Sequence, residues 1–186
     1  MRIAVISLPF HSNYGGILQS YALQNVLEAM GHEVTVINKN RYPCYPLKSK
    51  IVILLRWVLN SMRNGKFYRL SVPWKDGDNF ETINKYTAQF VKNNINTRTV
   101  NLLTDILSEE YDCIIIGSDQ VWRRSYFASN WGTSITNAFL AFSLGWNIKR
   151  ISYAASFGVD NLNEYTQEEV QQCARLIKLF NAISVR

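Results

Sequence analysis

Three short polar stretches hold most of the side chains in this 186-residue chain that could do chemistry. They are His11-Ser12-Asn13-Tyr14-Gly15-Gly16, Ser118-Asp119-Gln120 with Trp122 just beyond, and Ser156-Phe157-Gly158. Asparagine and glutamine carry donors and acceptors side by side, aspartate carries two acceptor oxygens, and tryptophan offers a flat apolar face. That set suits a sugar, whose edge is hydroxyls and whose face is C–H. Gly15-Gly16 opens a helical stretch, where backbone N–H groups and the positive dipole end suit an anion. The pair is not a GxGxxG, so a dinucleotide is not indicated. Each group also has a plainer reading. Asn13 with the glycines makes a tight turn, Asp119 caps one, His11 packs in a loop, and Trp122 belongs to a core or a lid.

The elements that must position these stretches alternate between strand and helix. Arg2 to Ser7 is a β-branched run ending near Pro9, the pattern of a buried parallel strand. Leu23, Val26, Leu27 and Met30 share one face of a helix over Ile17 to Met30, opposite Gln24, Asn25 and Glu28. Gly31 stops it. Glu33 to Asn38 is the next strand, and strand, helix, strand at this spacing makes a right-handed βαβ unit. Helices are expected around Phe80 to Val91 and Leu102 to Leu107, and a third strand over Cys113 to Ile116. Residues 123–147 read as irregular. Ile151 to Ala155 is a fourth strand. Thr166 and Glu169 then form a capping box for a helix with the stripe Val170, Cys173, Ala174 and Ile177. Ala182 to Val185 starts a fifth strand. These elements predict an α/β, Rossmann-like, doubly wound and mainly parallel sheet. In such a sheet the three polar stretches emerge together at the carboxyl ends of the strands, where ligands bind.

Composition narrows the class. Apolar residues make up 47% and charged residues 18%, an ordinary globular balance that excludes collagenous, disordered and disulfide-scaffold chains. Ile51 to Leu59 is the longest apolar stretch; Arg56 interrupts it, and it falls short of the roughly 18 residues a membrane span needs. The run after Met1-Arg2 is cut too early by Ser7 and Pro9 for a signal peptide, so the expected location is cytoplasmic. Cys44, Cys113 and Cys173 form no CxxC and the two histidines no HExxH, so neither a metal nor a cofactor is expected. The net charge of +6 is local: nine basic residues and no acid lie between Lys39 and Lys75. The remainder holds eleven basic against 14 acidic residues, a net −3, which argues against a nucleic-acid binder. Residues 39–75 therefore read as a basic helical insertion. The regular stripe Ile51, Leu54, Leu55, Val58, Leu59 and Met62 predicts packing against the protein itself. Peripheral contact with the anionic inner membrane surface is the alternative.

Four motifs in order then carry a resemblance. They are Asn13 to Gln24 (NYGGILQSYALQ), Ile116 to Trp122 (IGSDQVW), Arg150 to Gly158 (RISYAASFG) and Ala182 to Arg186 (AISVR). Together they resemble the bacterial polysaccharide pyruvyl transferase family. The resemblance implies the N-terminal lobe of a two-domain enzyme of GT-B-like architecture, with residues 1–186 cut from a longer chain and inactive alone. It also implies phosphoenolpyruvate as donor and a glycan or lipid-linked glycan, en route to exopolysaccharide, as acceptor. Asp119 would then be the catalytic base or hydroxyl-orienting group, and His11 a weaker candidate for the catalytic acid. Asn13, Tyr14, Gly15, Gly16, Gln19, Ser118, Gln120, Trp122, Ser156, Gly158 and Arg186 would bind substrate, with Arg186 meeting the donor's carboxylate or phosphate. Two other classes stay open. One is a GT-B nucleotide-sugar glycosyltransferase, and the other is a non-catalytic glycan-binding module.

Overall fold

The computed structural model describes residues 1–10, 13–40, 52, 55, 58 and 77–186, excluding the side chains of 77–84. Six strands form one parallel sheet: β1 (Arg2–Ile6), β2 (Glu33–Lys39), β3 (Thr97–Val100), β4 (Cys113–Gly117), β5 (Lys149–Ala155) and β6 (Ala182–Val185). Their order is β3-β2-β1-β4-β5-β6, so the direction of winding reverses between β1 and β4. Among the described residues they are accompanied by the helices α1 (Tyr14–Ala29), α2 (Gly77–Asn94), α3 (Arg124–Trp131) and α4 (Gln167–Leu176). The expected Rossmann-like α/β architecture is what the chain adopts.

The strand pleat sorts the core into two layers. Ile3, Val5, Val34, Val36, Cys113 and Ile115 face α1 and α2, where Ile17, Leu23, Phe90 and Val91 meet them. Ala4, Ile6, Ile37, Ile114 and Ile116 face the other way, onto Phe127 and Trp131 of α3 and Cys173 and Leu176 of α4. Both described cysteines are core residues, and burial pushes the thiol of Cys113 up to about 11 and that of Cys173 to about 12.

Several local expectations change. α1 begins at Tyr14, earlier than Ile17, because Asn13 caps it. Its buried side is also rotated: Gln24 is buried, whereas Val26 and Met30 are 57% and 65% exposed. The cause is polar. Gln24 Nε2 donates to the Asn94 carbonyl and Oε1 accepts from the Asn96 N–H, which draws that flank of α1 onto the turn between α2 and β3. β3 itself was not foreseen, since TRTV on a sheet edge lacks an apolar run. The helix expected over 102–107 is a single 3-10 turn, Leu103–Asp105. The stretch expected to be irregular contains α3 and two further 3-10 turns. The Thr166–Glu169 capping box forms as expected, with Cys173 buried but Ala174 exposed.

The chain divides into two compact units, Met1–Lys39 with Tyr86–Arg186, and Asn40–Lys85. Of the stripe in the basic segment, Leu55 and Val58 are described, and both are exposed, against the expectation of burial. Ile51, Leu54, Leu59 and Met62 lie outside the described residues. Among the described residues no helix is long and apolar enough to cross a membrane.

Candidate functional site

At the switch between β1 and β4, the loops leaving both strands and the outer side of α3 enclose a cavity of about 170 Å3. Asn13 and Gly16 line it from the start of α1, Asp119 from the loop after β4, and Tyr126 and Asn130 from α3. This is the crevice that an open parallel sheet leaves where its winding reverses.

Each polar wall of the cavity is fixed by the chain around it. Asn13 has extended backbone and turns its side chain back on the helix, where Oδ1 accepts from the N–H groups of Gly15 at 3.1 Å and Gly16 at 3.4 Å. The backbone donors that the sequence offered to an anion are thus taken by the cap. Nδ2 points away from them. A Cβ on Gly16 would stand 3.5 Å from both Asn13 Nδ2 and Asp119 Oδ2, so a donor and a carboxylate oxygen converge over this glycine.

Asp119 is brought there by a close approach of the parallel strands β4 and β5 at Gly117 and Tyr153. Gly117 has φ +145, and a Cβ there would lie 2.0 Å from the Tyr153 carbonyl oxygen, so only glycine fits. Ser118 follows in the left-handed region at φ 60 and donates its N–H to that same oxygen at 2.6 Å. β5 answers with an irregular register between Ser152 and Ala155 and with Ala154 at φ 49. Beyond this close approach Asp119 Oδ1 accepts from the Gln120 N–H at 2.7 Å, and the Asp119 carbonyl accepts from the Ser156 N–H at 3.1 Å. Oδ2 has no protein partner among the described residues. One carboxylate oxygen is held and the other faces the cavity.

The remaining candidates separate into two groups. Gln120, Trp122, Ser156 and Gly158 build the frame. Trp122 is 1% exposed, lies parallel to Phe139 with ring centroids 5.1 Å apart, and donates its indole N–H to the Ala138 carbonyl at 3.1 Å. Both its apolar face and its donor are taken up in the core. Gln120 Oε1 accepts from Arg123 at 3.3 Å and presses on Gly158, where a Cβ would meet it at 2.3 Å. Ser156 Oγ accepts from the Gly158 N–H, and its carbonyl from the Trp122 N–H.

Gln19, Ser118 and Arg186 instead line a larger groove of about 520 Å3 along α1 and β5, with Val26, Met30, Ile151 and Tyr153 as its apolar walls. Arg186 therefore does not share the cavity of Asp119. Tyr14, the first residue of α1, is 63% exposed. His11 lies outside the described residues. Among those described, no group of three or more His, Cys, Asp or Glu stands together as a metal site would require.

The model of the polysaccharide pyruvyl transferase family matches residues 13–186, nearly the whole chain. The chain belongs to that family. A search of curated proteins finds no match. The matched span begins at the cavity residue Asn13 and leaves out His11. Polysaccharide pyruvyl transferases are transferases, so the cavity belongs to an enzyme. Tyr126 and Asn130 escaped the sequence reading because they sit on an eight-residue helix with little apolar pattern. The one available signal was Phe127 and Trp131, which sit four residues apart and face the core.

Proposed function

We propose that the protein moves the pyruvate group of phosphoenolpyruvate onto two hydroxyls of a glycan or lipid-linked glycan, forming a ketal and releasing phosphate. The observation that carries this reading is the convergence of Asp119 Oδ2 and Asn13 Nδ2 over Gly16, inside a crevice at the switch point. The methylene carbon of the donor takes a proton, and a sugar hydroxyl oxygen bonds to C2 as its own proton leaves. Phosphate then departs from C2, and the second hydroxyl closes the ring and gives up its proton. Asp119 receives the first hydroxyl proton, and Asn13 orients that hydroxyl. Arg186, beyond Ser118 on the groove side, meets the donor's carboxylate or phosphate. A second lobe of a GT-B-like enzyme completes the donor site.

Exposure of Leu55 and Val58 within a segment of nine cations and no acid supports contact with an anionic membrane, where lipid-linked glycans reside. The test of the reading is phosphate release from phosphoenolpyruvate with a panel of lipid-linked glycans. Release that requires a glycan is the expected result. Transfer from a nucleotide-sugar, or glycan binding without turnover, would overturn it.

A further inference from the structure

The cavity has a feature that the proposed proton transfer does not use. Tyr126, in the first turn of α3, lines the cavity and is 42% exposed, and its hydroxyl has no hydrogen-bond partner among the described residues. Its ring is held in place. The Arg123 guanidinium lies over one face, 4.2 Å from the centroid. Arg123 is itself fixed by Glu164 Oε1 at 3.2 Å and Gln120 Oε1 at 3.3 Å. Glu164 also accepts from the Ser125 N–H at 2.9 Å, tying down the helix start on which Tyr126 stands. Such an arrangement costs side-chain freedom on three residues and leaves an aromatic surface at a polar cavity. Trp122, the tryptophan beside Asp119 in sequence, has no free face to offer.

Resting on the reading above, the geometry points to Tyr126 as the residue that selects the acceptor, by stacking on the C–H face of a pyranose. Hydroxyls on the sugar's edge then turn toward Asn13 and Asp119. The size agrees: about 170 Å3 equals five or six waters at about 30 Å3 each, room for one sugar ring and not for a longer glycan. The favoured acceptor unit is a pyranose with adjacent C–H bonds on one face, as on the underside of galactose. One ring is recognised, and the rest of the glycan lies outside.

The test compares Tyr126→Ala, Tyr126→Phe and Asp119→Asn in the enzyme, with acceptor and donor KM and kcat measured separately. Stacking predicts that Tyr126→Ala raises acceptor KM about three- to tenfold, the range of aromatic face contacts. Donor KM and kcat should stay put, and Tyr126→Phe should behave as the parent. A second measurement does not depend on any variant folding. Methyl β-galactopyranoside added to the parent protein should show upfield ring-current shifts and saturation transfer at its H3, H4 and H5 protons. Unchanged acceptor KM in Tyr126→Ala, or ligand protons unmoved by the parent protein, overturns the stacking role. If Asp119→Asn is still inactive in that case, the reading of the cavity as the acceptor site stands alone. If Asp119→Asn is fully active, both fall.

Discussion

The cavity and the groove lie on either side of the loop after β4, with Asp119 lining one and Ser118 the other. Yet they are built in opposite ways. In the cavity each polar group is held by a second one: Asn13 by two N–H groups, Asp119 by Gln120, and Tyr126 by the Arg123 and Glu164 chain. Asn130 is tied to Lys39, whose ammonium donates to its carbonyl at 3.1 Å and whose pKa burial lowers. In the groove, among the described residues, Arg186 has only its backbone anchored, to the Ala155 carbonyl, while Val26, Met30 and Tyr153 stand exposed. Pre-set polar groups suit a site that must orient hydroxyls before reaction. An open apolar wall beside one exposed cation suits binding that tolerates movement.

The largest effect should come from the close approach of β4 and β5 that both regions share. Gly117→Ala forces a methyl into the Tyr153 carbonyl, and we expect a loss of about 4 kcal/mol or more, read as denaturant midpoint or as insoluble protein. Parent-like stability would mean that the contact of Gly117 with β5 is looser than its geometry. Next comes Asp119→Asn, which keeps an acceptor for the Gln120 N–H and removes the base. Turnover should drop at least about 100-fold with the melting temperature unchanged. Arg186→Ala should do less and do it differently: donor KM rises several-fold, acceptor KM holds, and stability stays within about 0.5 kcal/mol, as for an exposed side chain. A fall in kcat matching that of Asp119→Asn would erase the distinction between the regions.

The smallest effect lies behind the cavity, where Glu169 joins the caps of two helices. It accepts from the Thr166 N–H at the start of α4 and from Arg124 Nε at 2.9 Å at the start of α3. The bond from Arg124 holds the Glu169 carboxyl below its ordinary value. A depressed folded pKa means stability that is present above the ordinary glutamate value of about 4.3 and fades as pH falls through the lower folded value. Glu169→Gln should lower the melting temperature by about 3 °C at neutral pH. That difference should close once the pH has fallen below the lowered folded value. A difference that persists in acid would show that shape, not charge, does the joining.

What the sequence made legible follows from how local each cause is. The parallel sheet, the Thr166–Glu169 box and the rim position of Asn13 and Asp119 rest on periodicity and on neighbours within a few residues. The buried side of α1 does not, because Gln24 is recruited by Asn94 and Asn96, some seventy residues away. Trp122 shows the same limit from the other side. A tryptophan beside a polar loop reads as a platform until Phe139 and the Ala138 carbonyl occupy it. Tyr126 reaches the cavity through α3, a short helix fastened by Glu164 from a distant loop, so its part depended on tertiary contacts.

The most direct test of the account is a backbone amide shift titration of the labelled protein with methyl β-galactopyranoside and with the disaccharide of an accepted glycan. Gly16, Asp119, Tyr126 and Asn130 are expected to move together and saturate at one affinity, with Val26, Ile151 and Tyr153 still. Saturable shifts confined to Val26, Ile151 and Tyr153 would put the acceptor in the groove and contradict it.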